Sequence, residues 1–209
     1  MKSRSASSSS RSSPVRAVSR GAGEVRIIGG DWRRSRLTVA ERPGLRPTPD
    51  RVRETLFNWL GQSMQGWRCA DVFAGTGALG LEAASRGAKE VVLCEQDPSL
   101  VQQLKANVTR LHASQVLVRQ GDGLQWLSQQ AGANWDLIFL DPPFASALFE
   151  PALNAATAAL VSSGYVYLEA PEAWTTERLA AQGWTLYRHL KAGAVHAHLL
   201  RPAATVGAA

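Results

Sequence analysis

Residues 71–80 read Asp71-Val72-Phe73-Ala74-Gly75-Thr76-Gly77-Ala78-Leu79-Gly80. An apolar run over 69–73 leads into this stretch and a helical pattern near 78–86 leads out of it. The reading is a tight, glycine-rich turn between a strand and a helix, where backbone can approach a ligand without Cβ obstruction. Taken alone, such a turn also fits a strand-to-helix connection that binds nothing.

Outward from this turn, strands and helices alternate. Further apolar runs occupy 91–95, 116–119, 136–140 and 165–169, with helical candidates near 98–111, 123–130, 147–160 and 172–181. Asp97-Pro98 opens the first of these helices, and Leu100, Leu104, Val108 and Leu111 form its apolar face. Near-continuous apolar strands separated by helices predict a parallel sheet covered on both faces. Trp184–Leu190 and Val195–Leu200, joined around Gly193, predict a closing hairpin. The expected class is α/β: a mostly parallel seven-stranded sheet ending in an antiparallel hairpin. That layout resembles the Rossmann-like class I methyltransferases that use S-adenosylmethionine.

Three carboxylates fall at the carboxyl ends of adjacent strands. Asp71 stands just ahead of the glycines, where an anion suits the ammonium group of a methionine moiety; a dinucleotide pyrophosphate gains little from it. Glu95 ends the next strand, where it can accept both ribose hydroxyls, of NAD as readily as of S-adenosylmethionine. Asp122 suits an adenine amino group, or equally a turn or helix cap. The expected cofactor set is Asp71, Phe73, Ala74, Gly75, Thr76, Gly77, Gly80, Glu95, Gln96, Asp122 and Gly123.

The run 136–140 ends in Asp141-Pro142-Pro143-Phe144. A prolyl turn is ordinary loop chemistry, but this one lies at a strand end beside the glycine turn. An exocyclic base nitrogen is conjugated with its ring and is a poor nucleophile. Two acceptors on its hydrogens, the Asp141 carboxylate and the Pro142 carbonyl, favour a pyramidal nitrogen with a directed lone pair. The prolines stiffen the turn that holds them, and Phe144 can stack on an extruded base. These four residues are the expected catalytic set.

The first 53 residues hold thirteen Lys/Arg and four Asp/Glu, the remainder ten and thirteen. A basic front on a mildly acidic body suits a polyanion. Residues 1–23 are Ser/Arg-rich and acid-free, a composition that predicts disorder and also resembles an organelle transit peptide. Residues 24–61 are read as a basic extension. Within it, Val25–Ile28 and Arg36–Val39 pair as a hairpin, then Thr48 caps a helix with Pro49 at its first position and Gly61 at its end. Residues 62–203 are read as the main domain and 204–209 as a flexible end. Arg26, Arg33, Arg34, Arg36, Arg46, Thr48, Arg51 and Arg53 are expected to face nucleic acid, though the arginines also fit a solvated face with helix caps.

Cys69 and Cys94 read as buried hydrophobes, and no metal site is expected. His196 and His198 share a face of an exposed strand. No apolar stretch is long enough to span a membrane, and no apolar run follows the first basic residues, so the expected location is the cytoplasm.

Two further stretches carry a resemblance: Arg26-Ile27-Ile28-Gly29-Gly30-Asp31-Trp32-Arg33 and Arg46-Pro47-Thr48-Pro49-Asp50-Arg51-Val52-Arg53-Glu54-Thr55-Leu56-Phe57-Asn58-Trp59. With the glycine turn and Asp-Pro-Pro-Phe, they resemble the RsmD family of bacterial 16S rRNA guanine-N2 methyltransferases, from about Val25 to Arg201. The resemblance implies S-adenosylmethionine as methyl donor, guanine N2 as target, and the small ribosomal subunit, assembled or partly so, as partner. It further implies that Arg46–Glu54 borders the active site and touches RNA, and the protein is expected to be a monomer. The chain departs from the family at Ser35, where a glycine is expected, and at Ala194, where a glutamine is expected. The alternatives are a DNA adenine or cytosine amino-methyltransferase, for whose target-recognition region the chain has no room, a non-catalytic scaffold for RNA or S-adenosylmethionine, and an NAD-dependent enzyme.

Overall fold

Val91, Val92, Leu93 and Cys94 are consecutive and all buried, which requires cover on both faces of their strand. The computed structural model, which describes residues 24–38 and 48–203, supplies that cover. The expectations for 1–23, Arg46 and 204–209 lie outside the described residues. In chain order the elements are β1 (Glu24–Arg26), β2 (Arg36–Thr38), α1 (Asp50–Leu60), β3 (Arg68–Asp71), α2 (Ala78–Ser85), β4 (Glu90–Glu95), α3 (Pro98–Arg110) and β5 (Val116–Gln120). There follow α4 (Gly123–Ser128), β6 (Trp135–Leu140), α5 (Phe149–Ala159), β7 (Leu160–Ala170), α6 (Thr176–Ala181), β8 (Trp184–Ala192) and β9 (Val195–Pro202).

The main sheet has seven strands in the order β5-β4-β3-β6-β7-β9-β8. Strands β5 to β7 run parallel, and β9 and β8 close the sheet antiparallel. The chain leaves β3 for β4 on one side and later places β6 on the other. The carboxyl end of β3 is therefore a topological switch point, where open α/β sheets form a ligand crevice.

One sheet face packs against α1, α2 and α3, the other against α4, α5 and α6, each through its own buried cluster. The β1–β2 hairpin contributes Val25, Ile27 and Leu37 to the first cluster, alongside Leu56 and Phe57 of α1 and Leu81 of α2. The basic extension is thus tied to the main sheet by a shared core.

The tie is completed by a buried charge network. Glu82 of α2 is fully buried and accepts the backbone N–H groups of Ile28 at 2.7 Å and Gly29 at 2.8 Å. It also pairs with Arg53 at 3.4 Å and Arg86 at 2.8 Å. Arg53 donates in addition to Asp50 at 2.6 Å and to the carbonyl oxygens of Arg26 and Thr48.

Two local expectations need correction. Thr48 does not cap α1: the helix has no side-chain cap, and the Thr48 hydroxyl donates instead to Glu169 on β7, 2.6 Å away. Gly61 does end the helix, in the left-handed region at φ 93°. His198 does not lie on an exposed face, because α6 and the segment before it cover that part of β9. Its Nε2 accepts from the Trp174 N–H at 3.1 Å, and burial pulls its pKa down to about 4.

Candidate active site

The glycine turn is shaped by the backbone. Gly77 stands before α2 at φ 75°, a region costly for side chains with a Cβ, and its N–H donates to the Ala74 carbonyl at 2.6 Å. Gly123 opens α4 so close to β3 that a Cβ there would lie 1.9 Å from the Val72 carbonyl oxygen. No side chain therefore stands between the ends of β3 and α4.

Five carboxylates stand in a row across this end of the sheet. In strand order they are Asp122 after β5, Glu95 on β4, Asp71 on β3, Asp141 after β6 and Glu169 on β7. The first four are expected from the sequence; Glu169 is not.

Asp71 is buried beneath the glycine turn. Its Oδ2 accepts the Gly80 N–H at 3.0 Å, which fastens the first turn of α2 to the end of β3. Burial pushes its carboxyl up to about 7 against the opposing effect of that hydrogen bond. The Glu95 carboxylate accepts the Gly75 N–H at 2.9 Å on Oε2 and the Asp97 N–H at 2.8 Å on Oε1, bracing the glycine turn against the start of α3. Phe73, Ala74 and Thr76 lie in the turn itself, and Gln96 is exposed beside Glu95. Asp122 is exposed and caps α4 through the Gln125 N–H at 3.0 Å.

Asp141 is partly exposed. Desolvation, then the nearby charges of Glu169 and Asp71, hold its carboxyl well above the usual carboxylate range. Pro142 is buried and Pro143 exposed, while the Pro143 carbonyl accepts the Ser146 N–H and closes the turn. Phe144 is 38% exposed, one of the large apolar side chains left open to solvent. Cys69 and Cys94 are buried, and burial raises both thiol pKa values, so neither offers a nucleophile.

Glu169 is buried and its pKa is raised by desolvation, while two donated hydroxyl bonds pull the other way. Both bonds end on Oε1: from Thr48 at 2.6 Å and from Tyr167 at 2.8 Å. The signal in the sequence was an acid inside the apolar run 165–169, a position that a strand buried on both faces seldom gives to Glu.

The expected nucleic-acid residues divide between the surface and the interior. Arg26 and Arg51 are exposed beside Asp50 at the start of α1, and the Thr48–Glu169 bond holds that end of α1 at the row of carboxylates. Arg33 and Arg34 are exposed in the hairpin turn, which docks on Ser85 at the far end of α2. Eight helical residues put that end about 12 Å along from the glycine turn. Arg36 is exposed on β2. Arg53 and Thr48 are corrections: both are buried, one in the Glu82 network and the other on Glu169, so neither is open to a phosphate. Among the described residues no cluster of His, Cys, Asp and Glu could hold a metal, and no helix is long and apolar enough to cross a membrane.

Comparison with known proteins agrees with this architecture. The precorrin-6y C5,15-methyltransferase of Geobacter metallireducens superposes with a TM-score of 0.63 at 17% identity, covering 80% of this chain and 93% of that one, which shows a shared class I methyltransferase fold. The solved structure of yhhF from Escherichia coli has a TM-score of 0.75 at 40% identity, covering 88% of this chain and all of that one. The ribosomal RNA small subunit methyltransferase D of Escherichia coli (strain K12) is 42% identical over 177 residues, covering 84% of this chain and 88% of the relative. The model of the family described as Conserved hypothetical protein 95 matches residues 25–201, from the first strand of the hairpin to the last of the sheet, and the chain belongs to that family, the RsmD family of methyltransferases.

Proposed function

We propose that the protein transfers the methyl group of S-adenosylmethionine to the exocyclic N2 of a guanine in 16S rRNA, within an assembled or partly assembled small ribosomal subunit. The observation that carries this reading is Asp141. A carboxylate on a rigid prolyl turn, at a strand end beside the glycine turn, has no ion-pair partner among the described residues, and an accessible aromatic, Phe144, follows three residues on. The names of the relatives support the RNA class.

The residues present fit the donor. The left-handed glycine turn and the bare backbone at Gly123 leave room for it. Glu95 spends one lone pair of each oxygen on Gly75 and Asp97 and keeps capacity for two ribose hydroxyls. Asp71 places negative charge beneath the turn, matched to a methionine ammonium, and Asp122 stands open to an adenine amino group. When bound, S-adenosylmethionine supplies a methyl group already activated by positive sulfur.

The protein's task is then to position and polarise the nitrogen. The Asp141 carboxylate and the Pro142 carbonyl accept the two N2 hydrogens and turn the lone pair out of conjugation. Phe144 stacks on the extruded base. On methylation by the bound donor, which would keep the electron pair of the broken bond, the nitrogen would lose a proton and Asp141 would accept it. Exposed Arg26 and Arg51 hold phosphates flanking the target.

The test is transfer from methyl-labelled donor to small ribosomal subunits taken from cells that lack the activity, with naked 16S rRNA and duplex DNA alongside. Label in small-subunit rRNA is expected. Label confined to DNA would replace this reading with a DNA amino-methyltransferase. Donor binding without transfer to any polymer would replace it with a scaffold.

A further inference from the structure

Phe139 and Tyr167 stand opposite each other on β6 and β7, with ring centroids 6.2 Å apart on one sheet face. Two residues further on, Glu169 continues that face of β7, and Asp141 follows the end of β6, near enough for the charge of Glu169 to act on it. The two carboxylates therefore lie close together at the carboxyl ends of neighbouring strands. Their roles in the fold differ. Asp141 sits on the prolyl turn, whereas Glu169 is 3% exposed and anchored by hydroxyls from two directions, Thr48 ahead of α1 and Tyr167 on its own strand. Both hydroxyls converge on Oε1, so the rotation of the carboxylate is fixed. Among the described residues Oε2 accepts no hydrogen bond.

A carboxylate held in this way accepts and does not donate while it is ionised. Burial, the largest influence, raises its pKa, and the two hydroxyl bonds oppose that rise. On its Watson–Crick edge guanine presents two adjacent kinds of donor, the N2 amino group and N1–H. Adenine presents an acceptor at N1, and so does 2-aminopurine, which keeps the 2-amino group. A base whose N2 lies on Asp141 needs a second acceptor one atom along its edge.

We infer that Glu169 is the specificity-determining residue of this site: its Oε2, oriented by Thr48 and Tyr167, accepts guanine N1–H next to the N2 group held by Asp141. This rests on the proposed guanine-N2 reading and adds to it the means by which guanine is told from other amino-bearing bases. Thr48 is thereby a positioning residue that acts through Glu169, which gives a purpose to its placement away from the cap of α1.

The experiment compares two substrates and three proteins. Once the methylated nucleotide has been mapped with the wild-type protein, small subunits are reconstituted with 16S rRNA carrying guanine or 2-aminopurine at that one position. Wild type is expected to favour guanine in kcat/KM by about 10- to 100-fold, the effect of leaving a charged acceptor without its donor. In Glu169→Gln the amide oxygen turns to the two hydroxyls and the NH2 group faces the base, which suits the N1 acceptor of 2-aminopurine. The preference for guanine is expected to vanish or reverse. Thr48→Val, which frees the carboxylate to rotate, is expected to reduce the preference without reversing it. Binding of S-adenosylhomocysteine, followed by calorimetry, should be the same in all three proteins.

A preference unchanged in Glu169→Gln overturns the inference, and so does an equal loss on both bases, which would mark Glu169 as part of the scaffold only. Wild type that methylates no guanine in the small subunit overturns the proposed function itself, and that outcome is visible before any variant is made.

Discussion

Replacing Glu82 by Gln removes the charge at the centre of the network that joins the hairpin and α1 to α2. In the folded protein this carboxylate faces two guanidinium groups, and the side chains of Glu82 and Arg53 are both fully buried. Breaking a buried pair by neutralising one partner costs about 3–5 kcal/mol, because the opposite charge stays desolvated. Here both arginines keep other acceptors. Arg53 retains Asp50 and two backbone carbonyls, and Arg86 retains the Gln62 side chain and carbonyl. The lower end, about 3 kcal/mol, is therefore expected. For a chain of this length it corresponds to a Tm lower by about 6–12 °C. The amide NH2 must also face one of the two donors, Ile28 N–H or Gly29 N–H, and that amide loses its bond. Equilibrium denaturation gives the global cost, and amide hydrogen exchange gives its location. Ile28 and Gly29 should exchange faster relative to β4 and β6, while donor binding at the glycine turn persists. A loss below about 1 kcal/mol would refute the reasoning, since it would place the network in the class of solvated ion pairs. Unchanged protection at Ile28 and Gly29 would refute it independently.

Three residues of the site carry further outcomes. Asp71, with its carboxyl pushed up to about 7, is neutral below that pH and charged above it, so affinity for S-adenosylmethionine should rise as pH increases through about 7, and Asp71→Asn should flatten the rise. The same raised value has the opposite effect on the ligand-free fold: the contribution from Asp71 is fully present below the ordinary carboxylate range and is lost as pH climbs through about 7, which thermal unfolding at several pH values will show. Phe144→Ala should lower kcat/KM on the small subunit by about 5- to 100-fold, the worth of one base–aromatic stack, with stability and donor binding unchanged, because the ring is already open to solvent. Gly123→Ala should destabilise the protein by about 1–3 kcal/mol in urea titration, since its Cβ must displace the Val72 carbonyl oxygen from 1.9 Å.

The central strands were legible because they are buried on both faces and so appear as near-continuous apolar runs, while β5 at the edge shows its run with Leu117 exposed. The runs at 69–73, 91–95, 116–119 and 136–140 each lie on or within two residues of β3, β4, β5 and β6. The hairpin was legible from the two short stretches that begin at Val25 and Arg36, but its docking was not. Nothing local marks Glu82, in the middle of Leu81-Glu82-Ala83, as the acceptor for a backbone fifty residues earlier. Arg53 illustrates the same limit: a dense run of arginines looks like a phosphate-binding face, and only the tertiary packing shows that one of them turns inward. At Thr48 the Thr-Pro-Asp stretch satisfies the local rules for a helix start, while the partner that outcompetes the cap is 121 residues away. Along the row of carboxylates, position relative to a strand end revealed Asp71, Glu95, Asp122 and Asp141. Glu169 escaped because it stands within β7, one residue short of its end, so no turn residue announces it.

The central claim is methyl transfer to guanine N2 with Asp141 as acceptor of the amino hydrogens. Its most direct test is a single-turnover assay on the small subunit with methyl-labelled donor, followed by digestion and chromatographic identification of the labelled nucleoside, for the wild type and Asp141→Ala. The account predicts N2-methylguanosine from the wild type and a loss of at least about 100-fold in the variant, with donor binding retained. Label recovered as N6-methyladenosine, or N2-methylguanosine formed at an undiminished rate by Asp141→Ala, would contradict it.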